Sequence, residues 1–423
     1  MWDSTFQTAV ALAEIEEKEE TTHYRDIEFQ AEDSTSLVIS TTRPELLPAC
    51  IAIAVNPNDE RYQHLIGTHA ISPLFYARIP IIASNTVSHD KGTGIMMVCT
   101  FGDGNDVIFW KKHQLPLKQI ITKQGTMRDI TFGEAPFNSD KPDTANQHYQ
   151  PLTSLPIKKA RAHIVTLLSE QGSSVDGNDC ALKGSKETIH NVRIYEKGER
   201  PIEYIPTRQW FINVLDHKSD LLEQGKKIQW RPASMRKRYE LWVEGLDQDW
   251  CISRQRFFGV PFPVWYPLDE HGDTQYDQPL FADESALPLD PQTITPDGYD
   301  ESQRNQPNGF TAEPDVMDTW ATSSLTPQLA SQWPEQHQNL YPATLRTQAH
   351  EIIRTWAFYT IVKSWFHEKS IPWENIAISG WVVNPDRSKM SKSKGNTVTP
   401  GDLLDTYSTD AIRYWASKAK LGQ

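Results

Sequence analysis

The chain has 423 residues, too many for one hydrophobic core and enough for two or three domains. With 38% hydrophobic and 23% charged residues it reads as globular rather than disordered, and a formal net charge of −13 excludes a global positive field that would gather nucleic acid. Four cysteines, Cys50, Cys99, Cys180 and Cys251, lie far apart with no CxxC pair, which excludes a disulfide framework and a sequence-local zinc knuckle and makes a reducing cytoplasm the expected compartment.

From the amino terminus, "MWDSTFQTAVALAEIEEKEE" lacks a basic leader and turns acidic at once, so no signal peptide is expected; residues 9–20 read as a short helix ending in acids. Between residues 36 and 100 the short β-rich runs "LVIS", "IAIAV", "IPIIA" and "GIMMVCT" recur between Pro, Gly, Asn and Asp turns. Their weak alternation predicts strands buried on both faces. A helix is expected after "GDGND" and another over 155–170, around "KKARAHIVTLLSE". Residues 26–200 then form one inserted α/β domain, with 1–25 as a stem leading to it. "PIEYIPTRQWFINV" returns the chain to a second body over 201–266, with a helix in "PASMRKRYELWVEGL". Residues 267–312, rich in Pro, Asp, Gln and Gly, read as a surface insertion or long loop. Over 313–400 the sequence predicts a strong helix in "HEIIRTWAFYTIVKSWFHE" and a buried strand in "ENIAISGWVV"; a last helix starts in 401–423. The most apolar helical run carries Arg354 and Lys363, so it is a buried helix and not a membrane span.

Directly after the predicted strand comes "SKMSKSKGN", with Lys389, Lys392 and Lys394 among small hydroxyl residues. Lysines three apart can aim two ammonium groups at one phosphate chain, and a loop at the carboxyl edge of a parallel sheet is where α/β folds bind nucleotides. A flexible basic turn is the plain alternative for a generic K-x-x-K. The full string "KMSKS", after "ISGWVV", resembles the second signature of class I aminoacyl-tRNA synthetases. That resemblance implies an α/β fold: the second half of a Rossmann-type catalytic domain carrying a large inserted α/β, β-barrel-like editing domain. It further implies that Lys389 and Lys392 contact the phosphates of ATP, with Met390, Ser391 and Ser393 completing the loop. Mg2+ is expected to accompany the ATP.

"WCISRQRFFGVPFPVW" is similar to the return strand shared by the valine, isoleucine and leucine branches of the class, and "PDVMDTWATSSLTPQ" and "HEIIRTWAFYT" resemble the valine branch. By this resemblance Trp320, Ile352 and Trp356 line the amino-acid pocket; two indoles and a branched aliphatic suit a valine side chain, while ordinary core packing is the alternative for each. A small apolar slot cannot strongly reject threonine, a limit for which the valine-specific enzymes are themselves the familiar example. "STTRPELLPAC" and "DKGTGIMMVCTFGDGND" resemble the two signatures of the editing insertion that answers it. The implied editing residues are Thr41, Thr42, Arg43, Asp103 and Asp106, with Glu45 in the same turn. Asp106 would pair with the α-ammonium of the aminoacyl ester, and Asp103 would mainly cap the following helix. No Ser-His-Asp set stands out, so water is the expected nucleophile. Met97 stands where some relatives carry Lys, and His64 and His69 only superficially match the first class I signature.

That two-histidine signature is not found in these residues, nor is an anticodon-binding domain, and 267–312 lacks the cysteines with which many relatives hold zinc; no metal site is expected. The resemblance therefore implies an internal portion of a valine-activating enzyme, with tRNA(Val), valine, ATP and a separately encoded amino-terminal half as its partners and no membrane. A stand-alone aminoacyl-tRNA deacylase and an inactive tRNA-binding remnant are the alternatives.

Overall fold

The computed structural model of the protein describes residues 1–88, 92–380, 383–384, 390 and 400–418. The chain divides into two units, Met1–Arg208 and Gln209–Gln423.

The first unit is built on a long strand, β1 (Ile15–Ala31), and on β2 (Ser36–Thr41), β3 (Cys50–Val55), β4 (His69–Ile71), β5 (Arg78–Ala83), β6 (Ile95–Cys99) and β7 (Leu182–Tyr195). They form one mixed sheet in the order β2-β1-β4-β5-β3-β6, with β7 also paired to β1. Only β3 and β5 run parallel. The sheet curls until its end strands, β2 and β6, pack against each other. Inside the curl lie Ile27, Phe29, Leu37, Ile39, Ile53 and Ile81, all without solvent exposure. Of the expected two-face-buried strands only β3 is buried at every position; β2 and β5 alternate, as befits a curled sheet with one face to the core.

Residues 12–31 depart from the sequence expectation. A single 3-10 turn, Leu12–Glu14, is followed at once by β1, so the helix expected over 9–20 does not form. Ala and Glu favour a helix locally, but β1 pairs with β7 from Ile15↔Tyr195 onward, and each of its acidic residues gains a cross-strand partner. Tertiary pairing overrides a propensity worth only tenths of a kcal/mol per residue. The helices expected near 104 and 155–170 are α1 (Gly104–His113) and, after α2 (Pro142–Tyr149), α3 (Ile157–Ser169). Helix α3 buries Ala160, Ile164 and Leu168, a stripe of four-residue spacing.

The second unit centres on a parallel three-stranded sheet. Helix α4 (Lys218–Lys227) precedes β8 (Gln229–Arg231), and α5 (Met235–Glu244) follows it. A separate small sheet comprises β9 (Val264–Pro267), β10 (Leu280–Phe281) and β11 (Phe310–Ala312). Then come β12 (Ala343–Ala349), α6 (Phe358–Glu368) and β13 (Trp373–Ser379), with β13 lying between β8 and β12. The unit β12–α6–β13 is a strand–helix–strand crossover, so the carboxyl ends of both strands open on one edge. Helix α6 is preceded by a 3-10 turn, His350–Ile352, and a π-helical turn, Ile353–Ala357, so the single helix expected from 350 is split into three geometries. The chain ends in α7 (Gly401–Thr406) and α8 (Thr409–Lys418).

The expected surface insertion at 267–312 has its own apolar cluster of Trp265, Phe310 and Ala312, joined by Leu280, Leu289 and Tyr299. Trp265 Nε1 donates to the carbonyls of Pro291 and Ile294, at 3.0 Å each. Strands of two to four residues carry too little periodicity to be read from sequence, and widely spaced aromatics hold the segment instead.

Candidate functional site

In the first unit the two signature stretches meet. Strand β2 delivers Thr41, and the chain turns through Thr42 and Arg43 into a 3-10 turn, Pro44–Ala49, whose six residues are all buried. Thr41 Oγ1 accepts from the Arg43 N–H at 3.0 Å, fixing the turn. From the other side β6 ends in Thr100–Gly102, and α1 starts. Asp103 caps that helix: its Oδ1 accepts from the N–H groups of Asn105 at 2.8 Å and Asp106 at 3.1 Å. Lys111, Lys112 and His113 close the helix at the end where its dipole favours cations. Asp106 is buried in the first turn, and its Oδ2 accepts from the Gly102 N–H at 2.7 Å.

The guanidinium of Arg43 does not extend freely toward solvent. Its Nε donates to Glu45 Oε1 at 3.0 Å, one terminal nitrogen to the Gly102 carbonyl at 3.0 Å and the other to Glu203 Oε2 at 2.7 Å. Glu45, wholly buried, also takes two bonds from Arg161 of α3, at 2.8 Å each. Burial opposes the charge on Arg43, but Glu203 and then Glu45 outweigh it and hold its pKa above the ordinary range. Burial likewise opposes ionisation of Glu45, and the bonds from Arg161 and the charge of Arg43 reverse that and hold it ionised. Sequence reasoning missed Arg161 and Glu203; neither lies in a signature, and only the fold brings them to the turn.

Asp106 differs from these neighbours. Burial, reinforced by the Asp103 charge and only partly offset by the Gly102 N–H, pushes its pKa up to about 7. A carboxyl raised in this way holds its proton more tightly in the folded than in the unfolded chain. Its contribution to stability is full below the ordinary aspartate pKa of about 4 and is lost as pH rises through 7. Asp106→Asn, which cannot ionise, is therefore expected to melt like the parent near pH 4, to gain on it between pH 4 and 7, and to stay a few degrees more stable at pH 8. Thermal melts at stepped pH read this directly; a constant offset at all pH values would contradict it.

In the second unit, "WCISRQR" and "DVMDTW" are brought side by side. Residues Ser253 and Arg254 pair with Met317 and Val316, and Arg254 forms an ion pair with Asp318 at 3.1 Å, both side chains without exposure. Asp318 Oδ1 also accepts from the Trp320 N–H at 3.2 Å, starting the short helix Thr319–Ser323. Trp356 lies in the π-helical turn, stacks on Trp373 with ring centroids 5.3 Å apart, and has the Arg346 guanidinium 3.3 Å from its ring centre. Its Nε1 donates to the Ser323 carbonyl at 3.3 Å, which ties the segments of Trp320 and Trp356 together. Trp320 and Ile352 are each partly exposed, and Trp356 is buried. At the carboxyl end of β12 and in the turns after it, Gln348 Oε1, Glu351 Oε2 and Thr355 Oγ1 are buried without a hydrogen-bond partner among the described residues. Unpartnered buried polar atoms of this kind call for a water, an ion or a ligand.

The loop expected to hold ATP follows β13. Lys389, Ser391, Lys392 and Ser393 lie outside the described residues; Met390 is described and partly exposed. A Ser–His–Glu alignment absent from the sequence reading does occur: His337 stands 2.7 Å from Ser331 Oγ and 3.2 Å from Glu368. Ser331 is buried and its hydroxyl donates to the Gln328 carbonyl at 2.9 Å, so this set braces a helix end rather than activating a nucleophile. Among the described residues no group of three or more His, Cys, Asp or Glu is placed to hold a metal, and no helix is long and apolar enough to cross a membrane.

One unit thus carries a crossover sheet with a signature segment at its carboxyl edge, and the other a curled sheet with a second constellation. The family described as tRNA synthetases class I (I, L, M and V) matches residues 1–423, and the chain belongs to it. Its curated relatives point to one branch. It is 47% identical over 430 residues to the valine--tRNA ligase of Thermobifida fusca (strain YX), across 100% of this chain and 47% of that protein. It is 48% identical over 429 residues to the valine--tRNA ligase of Salinispora tropica, covering 100% of this chain and 48% of the relative. The corresponding enzyme of Tropheryma whipplei (strain Twist) is 45% identical over 431 residues, again across 100% of this chain and 49% of the relative. The chain thus spans about half the length of the curated relatives it matches. A solved ternary complex of Agrobacterium radiobacter K84 agnB2 LeuRS with tRNA and LeuAMS aligns over 94% of this chain and 44% of that one, at 17% identity and a TM-score of 0.32, too loose a likeness to carry an argument.

Proposed function

We propose that the chain is the central portion of a valine–tRNA ligase, which activates valine with ATP, transfers it to tRNA(Val) and hydrolyses mischarged Thr-tRNA(Val). The observation that carries this reading is identity near one half to valine--tRNA ligases along the whole chain, with the signature segments gathered into two constellations. In this reading residues 26–200 are the editing insertion on a stem of 1–25 and 313–400 the second half of a Rossmann-type catalytic domain. Residues 201–266 return to that domain, 267–312 are its surface insertion and 401–423 begin a helical stem.

The roles follow from the chemistry. Trp320, Ile352 and Trp356 wall the valine side chain. Lys389 and Lys392, in a loop with Met390, Ser391 and Ser393, stabilise charge that moves onto pyrophosphate, and Mg2+ arrives with ATP as part of that substrate. In the first unit Asp106 takes the ammonium of the mischarged amino acid. Thr41 and Thr42 stand at the same turn, and water attacks the ester carbonyl. Arg43 serves as the brace of the turn, and Asp103 as the helix cap.

Valine-dependent ATP–pyrophosphate exchange tests the reading, measured on the chain assembled with the amino-terminal half of a valine--tRNA ligase. Lys389→Ala and Lys392→Ala should each lower kcat on the order of a hundredfold or more with little change in KM for valine, because the lysines act on charge present only in the transition state. Parental rates in both variants would remove the loop from the reaction. Threonine release from charged tRNA with no exchange in any assembly would favour a stand-alone deacylase.

A further inference from the structure

We infer that Arg161 and Glu45 are positioning residues that set the Asp106 carboxylate through a four-link relay. The inference rests on the reading of Asp106 as the partner of the substrate ammonium. Arg161 grips Glu45 with two parallel bonds, the bidentate geometry that fixes both partners in angle as well as distance. Glu45 holds Arg43 Nε, and Arg43 holds the carbonyl of Gly102. The N–H of that same residue donates to Asp106 Oδ2 at 2.7 Å. Gly102 is therefore clamped from both sides, its carbonyl by Arg43 and its N–H by Asp106.

Two further observations make this a relay rather than a set of separate ion pairs. Glu45 has no exposure, so its charge must be satisfied within the protein, and the cations that hold it are Arg43 and Arg161. Gly102 also admits no side chain: a Cβ there would stand 2.9 Å from Asp106 Oδ2 and 3.2 Å from Leu46 Cδ1. The carbonyl and N–H of Gly102 belong to the two peptide units that meet at its Cα, so a displacement of that residue by Arg43 is passed to the Asp106 carboxyl. Loss of Arg161 removes the two bonds that fix Glu45, so the carboxylate holding Arg43 Nε loses its angle while Glu203 and the Gly102 carbonyl still tether the guanidinium.

The charged and titratable groups facing Asp106 are Asp103 on its own helix, Arg43 from the turn and Cys99 from β6. Of their side chains Arg43 alone favours the ionised carboxylate, alongside the backbone N–H groups of Gly102 and Cys99, so a displaced Arg43 should move the acid limb of Asp106 to higher pH.

The test is a double-mutant cycle on the full chain, read as threonine released from pre-charged Thr-tRNA(Val). Arg161→Ala should lower kcat about tenfold with KM little changed, and Arg161→Lys, which keeps the charge but loses the fork, should fall between it and wild type. In an Asp106→Ala background Arg161→Ala should have no further effect, because the relay has nothing left to position. An equal loss in both backgrounds, or no loss where Asp106→Ala is impaired, overturns the relay. If Arg161→Ala fails to fold, the cycle is run with Arg161→Lys. If the wild-type chain releases no threonine, the reading of the site falls, and the relay is judged by carbon-13 titration of the Asp106 carboxyl. An upward pKa shift in the Arg161 variant supports the relay, and an unchanged one refutes it.

Discussion

Asp106→Ala is expected to slow release of threonine from Thr-tRNA(Val) by roughly tenfold to a few hundredfold. The carboxylate would make one charge-assisted contact with the substrate ammonium, worth about 1.5–3 kcal/mol, and each 1.4 kcal/mol is a factor of ten. The contact does more than bind. It sets where the scissile carbonyl lies relative to water, so the loss should fall on kcat as well as KM. Asp103→Asn should cost much less, since asparagine caps a helix as well as aspartate does, and the two N–H groups that Asp103 accepts from remain within reach of an amide oxygen. Val-tRNA(Val) should survive longer than Thr-tRNA(Val) with the parent chain, because a site that hydrogen-bonds a threonine hydroxyl leaves polar groups unpaired against valine. The measurement is release of labelled amino acid from pre-charged tRNA, and equal rates for parent and Asp106→Ala would place the hydrolytic site elsewhere.

The second large effect is on stability. Arg254→Ala or Asp318→Ala should each destabilise the second unit by about 3–5 kcal/mol, since each takes the ion-pair partner from a buried charge. The Arg254–Asp318 pair is 3.1 Å apart with neither side chain exposed, and Arg254 also donates to the carbonyls of Cys251 at 3.1 Å and Ser253 at 2.7 Å. A loss of that size is a large share of the roughly 5–15 kcal/mol that holds a domain folded. The double variant Arg254→Met/Asp318→Leu should be less damaged than the sum of the two losses, because it removes both charges. Urea unfolding followed by near-ultraviolet circular dichroism checks this, tryptophans being plentiful around the pair. Single variants that unfold at the parental midpoint would show that water reaches the pair.

What the sequence made legible was local chemistry. Asp103 could be read as a cap because an acid immediately before an apolar run has that role, and its bonds to Asn105 and Asp106 agree. The crossover around α6 was legible from a strong amphipathic run followed by a short apolar one. What escaped was everything set by distant pairing. Glu45 and Arg161 are separated by 116 residues, and Arg43 and Glu203 by 160, so no periodicity announces either contact. The same holds for residues 15–20, for which the sequence predicts a helix and whose partner strand, β7, lies far along the chain. Arg43 is the instructive case. Its place in a threonine-rich turn suggested a group offered to the substrate, while the fold commits its guanidinium to Glu45, Gly102 and Glu203.

The pairing of β1 with β7 also bears on how such a protein can be assembled in evolution. Ile15 and Tyr195 are opposite one another on antiparallel strands, a separation of about 5 Å. Further out, after an irregular stretch, the two chain segments meet again, with Trp2 and Glu203 exchanging both backbone hydrogen bonds, at 2.8 and 2.9 Å. Everything between Ile15 and Tyr195 is thus a loop hung from two adjacent points, and a two-residue turn would bridge the gap that its removal leaves. Genetic insertion or loss of the whole segment in one event leaves the flanking backbone nearly where it was. A segment attached in this manner, which the proposed function makes the proofreading module, can be gained or lost with its two ends already side by side.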